Sequence, residues 1–113
     1  MNYQRSERVG ELLVEMISEL LREQIQDPRV AGVTLTGAKV SKDLRQARVY
    51  FSILGGQGDK REVLAGLRSA SGFIRSRVAR ELKLRYAPAI EFFYDESEDK
   101  AAHIEELLKQ VKN

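Results

Sequence analysis

The sequence contains no cysteine, one histidine and two prolines in 113 residues, and each shortage removes a class of chemistry or architecture. Without cysteine there is neither a disulfide nor a thiolate metal site. The absence also fits a reducing cytoplasm. With His103 as the sole imidazole, no Cys/His dyad and no multi-histidine metal centre can be assembled. No apolar run approaches the roughly 20 residues that span a bilayer. The polar start from Met1 to Glu11 does not read as a secretory signal. The expectation is a soluble, cytoplasmic protein with no membrane partner.

What is present is a globular mixture, 42% hydrophobic and 32% charged, of a length that suits one core. Val9, Leu12, Leu13, Met16, Ile17, Leu20 and Leu21 recur at helical spacing, with Ser6 as a candidate N-cap and Glu11, Glu15, Glu19 and Glu23 on the opposite face. Asp27-Pro28 ends that helix, because a residue before proline is driven out of the α region. Val33 and Leu35 alternate, then Ala38 and Val40 take the opposite parity across Gly37, which predicts a β-bulge. Ser41–Arg45 is the expected hairpin turn, and Ala47, Val49, Phe51 and Ile53 give the second strand. Asp59 with Glu62 has the spacing of a capping box. Val63, Leu64 and Leu67 follow as one helix, and Ile74, Val78 and Leu82 as another. Ala70-Ser71-Gly72 between them predicts a kink rather than a full turn. Ile90, Phe92 and Tyr94 form a last strand, and Ser97 opens a helix with Ile104, Leu107, Leu108 and Val111 on one side. The fold class is α+β, in the order α-β-β-α-α-β plus a C-terminal helix.

The net charge of +2 hides an uneven distribution. Residues 95–113 carry six acids and three bases, whereas Arg68–Arg85 holds six bases (Arg68, Arg75, Arg77, Arg80, Lys83, Arg85) and one acid, Glu81. Concentrated positive charge is what a polyanion-binding surface requires. On a helical wheel Ser76, Arg77, Arg80 and Lys83 share one sector opposite Ile74, Val78 and Leu82, with Arg75 on its flank. An ordinary solvated face usually mixes both signs, as the first helix does. The nearly unmixed arginines here favour phosphate contact.

Other motifs carry less. Gly55-Gly56-Gln57-Gly58 matches Gly-x-x-Gly literally, but it lies between a strand and a helix, is followed by Asp59, and lacks the Gly-Lys-Ser/Thr of a nucleotide loop. It reads as a flexible loop. Asp95, Glu96, Glu98 and Asp99 lack the glycine and distal glutamate of a calcium loop, and negative charge at a helix start accounts for them. No nucleophile, base and oxyanion site stand at recognisable spacing, so no enzyme and no cofactor is expected. Tyr50 and Tyr86 leave two roles open, stacking on a base or packing within the fold. With no ladder of aromatics, recognition by shape and phosphate position is favoured over a base-by-base code.

Several segments, taken in order, resemble the ribosome-binding factor A family. They are Asp27-Pro28-Arg29, Ser41-Lys42-Asp43-Leu44, Ala47-Arg48-Val49-Tyr50, Gly72-Phe73-Ile74-Arg75 and Leu84-Arg85-Tyr86-Ala87-Pro88, with Phe92 and Asp95 beyond. The resemblance implies a type II KH-like domain over residues 1–95, in which an Ala-x-Gly interhelical kink, here Ala70-Ser71-Gly72, replaces the usual Gly-x-x-Gly loop. It does not extend to residues 96–113, expected as an amphipathic helix packed on the domain or extending from it. The resemblance further implies a factor that binds free small ribosomal subunits and their rRNA late in maturation and aids rRNA processing. It would act as a single copy and be released with help from a ribosome-associated GTPase. The RNA-binding residues expected are Arg68, Ser69, Ala70, Ser71, Gly72, Arg75, Ser76, Arg77, Arg80, Lys83, Arg85, Lys42 and Arg45. The alternative is a small α+β protein-interaction or dimerisation module whose arginines only confer solubility.

Overall fold

A computed structural model describes residues 5–54 and 58–112. The elements are α1 (Arg5–Glu23), a single 3-10 turn (Pro28–Val30), β1 (Val33–Val40), β2 (Gln46–Ile53), α2 (Lys60–Leu82), β3 (Ala89–Tyr94) and α3 (Ser97–Lys112). The sheet order is β1-β2-β3, with β1 antiparallel and β3 parallel to β2. Parallel neighbours need a long crossover, and α2 supplies it.

Local sequence explains most boundaries. Asp27 is extended at φ −117° and ψ 115°, as its proline neighbour demands, and its carboxylate accepts the Arg29 N–H to cap the 3-10 turn. The bulge falls where the parity change put it, with the register shifting between Leu35 and Gly37. The hairpin turn is held by Asp43, which accepts from Ser41 Oγ at 2.7 Å and from the Arg45 N–H at 3.0 Å. Asp59 caps α2 by accepting the Arg61 N–H. Ser6, by contrast, lies inside α1 rather than capping it. The Gly55-Gly56-Gln57 part of the glycine-rich segment lies outside the described residues.

The expected order of elements holds, with the two middle helices joined end to end as one 23-residue α2 that runs through Ala70-Ser71-Gly72. The reason is geometric. Val63, Leu67, Ile74 and Val78 are all buried, and the step from Val63 to Ile74 is just over three full helical turns, about 3.06. Both halves therefore present buried side chains to the same core.

The core lies between one face of the sheet and the helices. Leu13, Ile17 and Leu20 of α1 and Leu67, Ile74 and Val78 of α2 pack with Leu35, Val49, Phe51, Ile90 and Phe92. Val33 and Ile53 are only half-buried at its edge. Gly66 has a role that spacing alone did not show, since a Cβ there would stand 2.8 Å from Val30 Cγ1 and 3.1 Å from Arg29 Cβ. It lets the 3-10 turn close against α2. The described side chains of α3 are exposed, including Ile104, Leu107, Leu108 and Val111. Its first turn is tied to the domain through Asp99, which accepts from the Tyr94 hydroxyl at 3.1 Å and lies 3.6 Å from Lys60 Nζ. The radius of gyration of 16.1 Å exceeds the about 13 Å of a compact domain of this size, as a projecting helix would produce. No described helix is long and apolar enough to cross a membrane.

Candidate nucleic-acid interface

The outward side of α2 is decided by what its inward side buries. With Val63, Leu67, Ile74 and Val78 pointing at the sheet, the line opposite at roughly 100° per residue runs through Arg61, Ala65, Gly72, Ser76, Ala79 and Lys83. Most of these residues are small. Arg68 and Arg75 border the line on the β3 side, and Arg80 borders it on the other. All of these cations are exposed. Gly72 is exposed too, and a Cβ built there would meet nothing within 4 Å. A glycine inside an exposed helix costs about 1 kcal/mol relative to alanine, and no packing among the described residues requires it.

The thirteen residues singled out from the sequence divide into groups. Gly72, Ser76, Arg80 and Lys83 share the outward surface, with Arg68 and Arg75 at its edge. Lys83 closes the helix in a left-handed conformation, φ 53° and ψ 40°. Arg75 is partly engaged, donating from Nε to the Pro88 carbonyl at 2.9 Å. Ala70 is half-buried against the core, and Ser71 is half-buried with its hydroxyl donating to the Arg68 carbonyl at 2.8 Å. Ser69 Oγ accepts from Arg29, whose guanidinium also grips both carboxylate oxygens of Asp27. That grip is the main reason the Asp27 carboxyl lies below its ordinary range.

Arg77 departs from the water-facing sector expected for it. Its side chain is only 28% exposed, with Nε 4.0 Å from Glu81 and the guanidinium over the Phe73 ring. At 4.0 Å this is an ion pair and not a hydrogen bond, which leaves the buried Nε unsatisfied. The wheel based on Ile74, Val78 and Leu82 misplaced the apolar direction. The buried stripe also includes Val63 and Gly66, which turn it toward Arg77.

A second basic cluster forms where the hairpin meets the loop before β3. Arg45 stands 4.5 Å and Arg85 5.6 Å from the centre of the Tyr86 ring. Arg5 and Asp43 join them around a cleft of about 290 Å³. Asp43 is held below the usual carboxylate range, chiefly by the Ser41 hydroxyl, so among the described residues the cleft has three cations against one anion. Lys42 is exposed and lines a neighbouring hollow with Lys39. Arg5, Arg61 and the placement of Tyr86 were not singled out from the sequence. Arg5 and Arg61 lie outside the dense basic segment, and only the tertiary fold brings Arg5 to Arg85.

Comparison with known proteins agrees with this architecture. The sequence model of the family described as ribosome-binding factor A matches residues 5–108. Ribosome-binding factor A of Geobacter metallireducens is 45% identical over 109 residues, covering 96% of this chain and 92% of that one. The protein of the same name from Citrifermentans bemidjiense is 47% identical over 107 residues, covering 95% and 90%. The crystal structure of ribosome-binding factor A from Thermus thermophilus superposes with a TM-score of 0.70 at 22% identity, over 79% of this chain and 94% of that one. The solution structure of a Thermotoga maritima ribosome-binding factor A superposes with a TM-score of 0.60 at 34% identity, over 82% and 90%. A homology model of the Thermus thermophilus protein, fitted into a cryo-EM map of its complex with the 30S subunit, gives a TM-score of 0.60 at 24% identity, over 84% and 97%. With its sequence matched almost from end to end, the chain belongs to the ribosome-binding factor A family.

Proposed function

We propose that this protein binds the small ribosomal subunit through rRNA, with the outward face of α2 as the principal contact, and that it acts without catalysing a reaction. The observation that carries the reading is the line of small residues through exposed Gly72, bordered by Arg68, Arg75 and Arg80 and ending in Lys83. A duplex backbone can approach such a surface closely while the flanking cations meet its phosphates. Arg45, Arg85 and Lys42 extend the positive surface past the end of α2. The Thermus relative fitted into the map of a 30S complex supports the choice of partner.

In the fuller form of this proposal, the protein is a monomeric cytoplasmic factor that joins free small subunits late in maturation. It aids processing of their rRNA and leaves with the help of a ribosome-associated GTPase. Sedimentation of cell extract with antibody detection tests it. The protein should migrate with free small subunits and be absent from translating ribosomes; uniform distribution or exclusion from subunits contradicts it. A protein-interaction module would instead bind its partner through apolar contact, with little dependence on salt.

A further inference from the structure

The open face of the sheet carries groups that neither the core nor the α2 surface uses. Leu35, Val49, Phe51, Ile90 and Phe92 point to the helices, so the alternate residues of each strand face away from them. The bulge before Gly37 reverses that alternation in β1, so on the outer face the register places Tyr50 beside Phe93, and in the next row Lys39 beside Arg48 and Arg48 beside Glu91. The Tyr50 and Phe93 ring centres are 6.0 Å apart with 34° between their planes. The Arg48 guanidinium stands 5.7 Å from the centre of the Phe93 ring. Phe93 remains 38% exposed. Among the described residues neither Lys39 nor Arg48 is in an ion pair.

This surface is a poor seat for another protein's apolar face. Its remaining rows are Thr34 with Ser52, Gln46 with Ala89, and the charged row, so a single aromatic pair stands in a polar field. It suits an unpaired nucleotide far better. An aromatic ring stacks on any base, an arginine lying over that ring can reach the attached phosphate, and two cations outnumber the one acid, Glu91. Asp95, beyond the end of β3, has its carboxylate engaged by the Ser97 N–H and the Thr36 hydroxyl.

We propose that Phe93 and Tyr50 form a base-stacking platform for single-stranded RNA, with Arg48 and Lys39 at the phosphates. The proposal rests on the RNA-binding reading above and adds a contact on the side of the domain away from α2. A protein with both surfaces would sit between a paired segment and an unpaired one, holding the two apart.

The chain has no tryptophan, so Phe93→Trp places a unique reporter on the platform. The probe is a labelled oligoadenylate decamer, with a fully paired RNA duplex of equal length for comparison. The decamer should quench Phe93→Trp fluorescence and the duplex should not. Phe93→Ala should weaken decamer binding about tenfold, within what one stacked base contributes, at unchanged thermal midpoint. The paired variant Arg80→Glu/Lys83→Glu should lose duplex affinity while keeping the Phe93→Trp quench. Unquenched fluorescence at a decamer concentration that saturates the wild type overturns the platform and leaves the α2 reading standing. Wild-type protein that binds neither RNA nor small subunits overturns both. A change of oligomeric state in Phe93→Ala identifies the face as a contact between copies and also overturns the proposal.

Discussion

Arg75 Nε donates to the Pro88 carbonyl at 2.9 Å, so one arginine of the basic segment fastens α2 to the loop that enters β3. Pro88 is itself fully buried, and without Arg75 its carbonyl loses a charged donor in a partly buried position. Arg75→Ala should therefore destabilise the protein by about 1 kcal/mol. Arg80→Ala should stay within about 0.5 kcal/mol of the wild type, as exposed substitutions usually do. Urea unfolding distinguishes them, and equal midpoints for the two variants would show that the Arg75 bond has no structural weight.

Gly66 and Gly72 lie six residues apart in α2, yet the same substitution should act on them in opposite directions. Gly72→Ala meets open space and gains helix propensity, so it should stabilise by about 0.5–1 kcal/mol. If RNA approaches the helix there, the added methyl group should nevertheless weaken subunit binding. Gly66→Ala drives a methyl group against Val30 and the Arg29 stem, and should destabilise the fold. Thermal midpoints for both variants, with subunit cosedimentation for Gly72→Ala, check the pair. A Gly72→Ala protein that is more stable and binds normally would remove the reason for a glycine at that place.

Hydrogen bonds from Ser97 and Thr36 hold the Asp95 carboxyl down to about 2 from an ordinary value of 3.8. Because the folded form binds its proton more weakly than the unfolded chain, this link stabilises the protein above pH 3.8 and is lost as pH falls toward 2. An NMR titration of the Asp95 carboxyl carbon should show no inflection near pH 4. Thr36→Val should move the inflection upward. A titration near 4 in the wild type would mean that neither bond is formed in solution.

Much of the fold was legible because each boundary has a local cause. Pro28 set the backbone of Asp27, the parity switch at Gly37 marked the bulge, and Asp59 capped α2. That the two middle helices join as one α2 was harder to read, since only the buried anchors on both sides of Ala70-Ser71-Gly72 keep the helix whole. The basic surface was legible as a segment but not as a geometry. Arg77 turned inward because Val63 and Gly66 shift the buried stripe, which a wheel drawn on the second half of the helix cannot register. The cluster of Arg5, Arg45, Arg85 and Tyr86 joins three separate parts of the chain, and no local pattern signals it.

The central claim is that α2 meets rRNA with its outward cations, and charge reversal tests it without touching the core. Arg80 and Lys83 are exposed, whereas Arg77 is half-buried and is left in place. Cosedimentation with purified small subunits should be measured for Arg80→Glu/Lys83→Glu and for a control, Glu15→Lys/Glu19→Lys, on the exposed face of α1. The account predicts that the α2 variant stays folded and loses subunit binding, because attraction is replaced by repulsion at the same phosphates. It predicts near wild-type binding for the control, whose wild-type contact should also weaken steeply with salt. A folded α2 variant that sediments with subunits as the wild type does, or a control that gains as much as the variant loses, would contradict it.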